Sequence, residues 1–94
     1  MTAECEREVG RWFKEYAEEH CSGYLESYGW REVGGICTFT LTYRSFPVLH
    51  MAIHTLELEM MDKDMFIAKL RYLTMDLVKS YFFSEVKDAD RQCA

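Results

Sequence analysis

The chain has 94 residues, 49% apolar and 15% aromatic, which suits one folded domain with a modest core and argues against disorder. Its net charge of −5 argues against the clustered Lys and Arg that nucleic acids and anionic membranes require. No charge-free apolar run approaches the ~18 residues that a membrane-spanning helix needs, and acids fill "MTAECEREVG" where a signal peptide would be apolar, so a cytoplasmic protein is expected.

The first element spans residues 3–22. Cys5, Val9, Trp12, Phe13, Tyr16 and His20 recur at helical spacing and form one apolar stripe. Glu4, Glu8, Arg11, Glu15, Glu18 and Glu19 face the other way. Thr2 is placed to cap the start, and Gly23 to end the helix in a left-handed turn. Gly10 weakens the middle of the helix, which points to close packing near Val9 and Trp12.

Residues 26–33 and 36–44 alternate as strands on either side of Gly34-Gly35, the signature of a tight hairpin. Pairing Val33 with Ile36 sets Trp30 opposite Phe39 and Tyr28 opposite Leu41. One face then collects Tyr28, Trp30, Cys37, Phe39, Leu41 and Tyr43. The other collects Gly29, Arg31, Thr38, Thr40 and Thr42. A register taken from the turn alone thus sorts the side chains by polarity.

A second hairpin through "SFP" leads into a third strand, 48–59. Pairing Arg44 with Val48 sets Leu41 against Met51 and Phe39 against Ile53. His50 then falls opposite Thr42, and His54 opposite Thr38. In "VLHMAIHT" the two histidines would share a helix face and could grip one metal ion. On a strand they stand about 13 Å apart, too far for zinc–nitrogen bonds of about 2 Å. The alternation of "HTLELEM" favours the strand, so no metal and no cofactor are expected. Cys5, Cys21, Cys37 and Cys93 have no zinc-ligand spacing and read as reduced thiols.

The last element is a helix over 63–86, capped by Asp62, with Phe66, Ile67, Leu70, Leu73, Leu77 and Tyr81 inward. A frayed polar tail follows over 87–94. The sum is an α+β domain of order α-β-β-β-α, with a three-stranded antiparallel meander and both helices on its aromatic face.

This element order is similar, in topology, to that of double-stranded-RNA-binding domains. That resemblance implies a basic patch where the second helix begins. Here "MDKDMF" puts Asp62 and Asp64 around Lys63, and Lys69 and Arg71 form no cluster, so RNA binding does not carry over.

No nucleophile–base pair and no phosphate-cradling loop is visible, and no carboxylate is placed to orient His50 or His54, so catalysis is not expected. Binding surfaces remain. Glu15, Glu18, Glu19 and Glu26 form an acidic cluster suited to a basic protein partner. Leu56, Leu58, Met60, Met65, Tyr72 and Phe83 are apolar groups beyond the core stripe, so a homodimer through one of these surfaces is expected, with a groove for a foreign partner as the alternative. Thr38, Thr40, Thr42, His50 and His54 make an alternative ligand face. Small, acidic and without catalytic residues, the chain is similar in profile to inhibitors of phages and mobile elements, anti-CRISPR proteins among them. A non-enzymatic protein-binding module, an inhibitor or adaptor, is the expected function.

Overall fold

The computed structural model describes residues 1–20 and 23–93, and of His20 and residues 83–93 the backbone alone. Expectations for the His20 side chain, Cys21, Phe83, Cys93 and the helix exit before Gly23 fall outside the described residues. Helix α1 (Ala3–His20) is followed by strands β1 (Leu25–Val33), β2 (Ile36–Tyr43) and β3 (Leu49–His54), then by helices α2 (Thr55–Glu59) and α3 (Lys63–Cys93). The strands form one antiparallel sheet in the order β1-β2-β3. The expected α+β architecture is the one observed.

Local chemistry sets the boundaries. The Cys5 N–H donates to the Thr2 hydroxyl (3.1 Å) and the Met65 N–H to the Asp62 carboxylate (2.8 Å), so both expected caps are made. Gly34 and Gly35 have φ of 61° and 79°, a left-handed pair that closes the β1–β2 hairpin. Val33 pairs with Ile36, Trp30 with Phe39 and Tyr28 with Leu41, as the turn implied.

Both main helices pack on one sheet face. The ring of Phe39 is its centre: Phe13 of α1 lies 5.0 Å away, Phe66 of α3 5.3 Å, and Trp30 of β1 is stacked on it at 5.5 Å. Val9, Phe13, Tyr16 and Ala17 from α1 join Cys37, Phe39, Leu41, Leu49, Met51 and Ile53 from the sheet and Phe66 and Leu70 from α3 in the buried core. A Cβ at Gly10 would stand 3.5 Å from the Trp30 indole nitrogen. The indole thus lies against α1 at Gly10, at a distance that would also admit a methyl group.

Three expectations are corrected. The β2–β3 register is slipped by two residues: Leu41 pairs with Leu49, Thr40 with His50 and Ile36 with His54. The connection is longer than "SFP", because Phe46 turns toward α3 and sets its ring 4.6 Å from that of Tyr81. Thr42 and Tyr43 therefore pair with β1 only. The third strand also ends at His54, not at residue 59, and Thr55–Glu59 is helix. Finally, the last helix continues to Cys93, past its expected end at residue 86. No Gly or Pro interrupts it.

Candidate interaction surfaces

The expected acidic cluster is largely engaged within the chain. Lys63, at the start of α3, forms an ion pair with Glu15 near the end of α1. The hydrogen bond and charge of Lys63 hold the Glu15 carboxyl below its usual range, and Glu15 in turn raises Lys63. The Tyr28 hydroxyl donates to Glu18 (3.2 Å). Glu26, at the bulge in β1, lies 3.9 Å from the Arg44 guanidinium. Glu19 is exposed. Lys63 is the cation at the place where the RNA-binding topology would need a basic patch, and its charge is already taken by Glu15.

The apolar candidates separate. Leu58 is 1% exposed and belongs to the core, a correction to its expected place at an interface. A helix over 55–59 brings Thr55 and Leu58 inward at i,i+3, whereas a strand would have put Leu56 and Leu58 on one side. Leu56 and Met60 remain at the surface, 77% and 83% exposed. On α3, Met65, Tyr72 and Met75 are more than half exposed. Their spacing of seven and three puts them on one side of the helix, opposite Phe66, Leu70 and Leu77. Glu57 is 3.6 Å from Lys69, which fixes α2 beside the second turn of α3. Leu56, Met60 and Met65 thus lie among the carboxylates Glu57, Glu59, Asp62 and Asp64, all exposed.

The sheet face away from the helices carries Thr38, Thr40, Thr42, His50 and His54, as expected. Thr40 Oγ1 is 3.4 Å from His50 Nδ1. A slip of two residues changed the partners of both histidines without moving either to the other face. Ser27, Gly29, Arg31, Thr38, Thr40, Thr42 and His50 surround a shallow depression of about 390 Å³. No group of three or more His, Cys, Asp or Glu able to hold a metal occurs among the described residues.

One surface is not anticipated by the sequence. Where β3 stops short of Tyr43, the sheet is two strands wide, and Tyr24, Tyr43, Phe46, Leu49 and Val78 line an apolar cavity of about 400 Å³. Its signal in the sequence was Phe46 beside Pro47, an aromatic residue in a segment read only as a turn.

Among the described residues no helix is long and apolar enough to cross a membrane. Comparisons with protein-family models, with curated proteins and with solved structures each find no match.

Proposed function

We infer that this chain is a non-enzymatic protein-binding module, an inhibitor or adaptor, and that it docks through α2 and the outer side of α3. The observation that supports this reading is the exposed set Leu56, Met60, Met65, Tyr72 and Met75 on the side of the molecule that the core does not use. Aromatic and Met side chains of this kind anchor protein interfaces.

Around the α2 end Glu57 and Glu59 are paired with Lys69 and the amino terminus, and the exposed Asp62 and Asp64 leave a surplus of acid that favours a partner whose docking surface pairs apolar groups with Lys or Arg. A second copy of this chain would bring the same acidic rim against itself. A different, basic protein therefore suits this surface better than the expected homodimer, and Glu18 and Glu19, exposed at the end of α1, add to the field that steers it.

The test is capture of binding proteins from the native host by the wild type and by a Leu56→Ser/Met60→Ser/Tyr72→Ser variant. The expected result is a basic protein retained by the wild type, released as salt is raised, and not retained by the variant. Identical captured sets would overturn the reading.

A further inference from the structure

Gly29 stands in the middle of β1 without either of the usual structural reasons for a strand glycine. Positive φ occurs at Gly34 and Gly35 and not at Gly29. A Cβ at Gly29 would meet nothing within 4 Å, so no neighbour presses on it. The register of β1 is regular from Ser27 onward, the bulge lying before it, and a glycine inside such a run leaves room for something that approaches the backbone closely. Its absent side chain forms the floor of the depression on the open sheet face.

Tyr28 and Trp30 also line the depression, but their rings pack on Phe13 and Phe39 in the core layer; the other lining side chains are hydrogen-bond donors. Gly29 is paired with Thr40, and Thr40 with His50; Arg31 is paired with Thr38, and Ser27 with Thr42. Four hydroxyls, one guanidinium and one imidazole therefore surround the glycine. None of the lining positions is a carboxylate, in a chain that has 16 of them. The two acids nearest in β1 are turned to other partners: Glu26 to Arg44, and Glu32 to the Thr55 hydroxyl, 2.6 Å away. Arg31 is exposed and has no ion pair among the described residues.

From this arrangement we propose that the depression over Gly29 binds an oxyanion, the phosphate group of a small ester. A guanidinium presents its N–H fork to a phosphate in two parallel bonds. The Thr38 and Thr40 hydroxyls, two residues apart on β2, donate from the centre of the sheet. His50, held by Thr40, closes the β3 side. The glycine floor lets the anion descend to the level of these donors. The site lies on the opposite side of the sheet from the helices, so it is independent of the docking reading above.

The experiment is an amide NMR titration of the whole chain with pyrophosphate, at constant ionic strength maintained with chloride. Saturable shifts are expected at residues 27–31, 38–42 and 50. Arg31→Gln should weaken binding about tenfold, as loss of one charge-assisted pair implies. Gly29→Val should fill the depression and abolish the saturable shifts while keeping the melting temperature at or above that of the wild type, because valine is the better strand residue. Gly29→Ala is the milder version of the same change. Phosphoserine and adenosine monophosphate, titrated in the same way, tell a phosphorylated side chain from a nucleotide as the source. Shifts that never saturate, or binding that survives both Gly29→Val and Arg31→Gln, would overturn the proposal.

Discussion

The Thr55 hydroxyl donates to the Glu32 carboxylate across 2.6 Å, joining the first turn of α2 to the end of β1. The Thr55 N–H also bonds to the Gly35 carbonyl (2.9 Å). Together these bonds hold the chain to the β1–β2 hairpin at the point where β3 gives way to helix. Thr55→Val keeps the shape and removes the donor to a charged acceptor. It should lower stability by about 1 kcal/mol, the value of an ordinary hydrogen bond and below the usual range for a charged acceptor because Glu32 is exposed. Urea midpoints of the variant and the wild type measure it.

This contact also shows where the sequence stopped being legible. Between residues 54 and 60 the pattern "HTLELEM" alternates as a strand does, but over five residues Thr55 and Leu58 fit a helix equally well. The helix is accompanied by tertiary contacts the local pattern cannot show: Leu58 enters the core, and Thr55 bonds Glu32, 23 positions apart. The β1–β2 register was legible because Gly34-Gly35 fixes a two-residue turn. The β2–β3 register was not, because a slip of two preserves the in-and-out pattern and the packing of Phe46 on Tyr81 is invisible in the local sequence. For the same reason the Thr/His face was placed correctly while its cross-strand partners were not. The acidic cluster was legible as charge, but its partners Lys63, Tyr28 and Arg44 come from other elements.

Phe39 is in ring contact with Phe13, Trp30 and Phe66. Phe39→Ala should cost about 3–5 kcal/mol, the usual loss for a buried aromatic ring. In a domain of this size that is a large part of the total stability. Thermal unfolding followed by near-ultraviolet circular dichroism would show it.

Gly10 is predicted to respond in two directions. Gly10→Ala adds a methyl 3.5 Å from the Trp30 indole nitrogen, an ordinary contact, and gains helix propensity. It should stabilise the protein by up to about 1 kcal/mol. Gly10→Leu has no room beneath the indole and should destabilise it. Denaturant unfolding of both variants checks the pair.

The Glu15–Lys63 pair sets a pH dependence. Glu15 titrates below its ordinary value in the folded chain, so its contribution is present above the ordinary glutamate value of about 4.3 and is lost as pH falls through the lower folded value. Lys63 is raised, so its contribution is present below the ordinary lysine value and is lost as pH rises through the folded one. Lys63→Gln should therefore flatten the stability profile at both ends. The measurement is the urea midpoint as a function of pH.

Cys37 is fully buried, and burial raises its thiol above the usual range, with the nearby Glu32 acting in the same direction. Thiolate is the reactive form, so Cys37 should resist alkylation at neutral pH in the native protein and react once urea unfolds it. Peptide mapping after brief iodoacetamide treatment reads this directly.

Docking of a different, basic protein on Leu56, Met60, Met65, Tyr72 and Met75 requires that this surface be free on the isolated chain. Sedimentation equilibrium at high micromolar concentration tests that most directly. A single species of 11.2 kDa is the predicted result. A species of twice that mass, returned to monomer by Tyr72→Ser, would contradict it and make the outer side of α3 the seam between two copies of this chain.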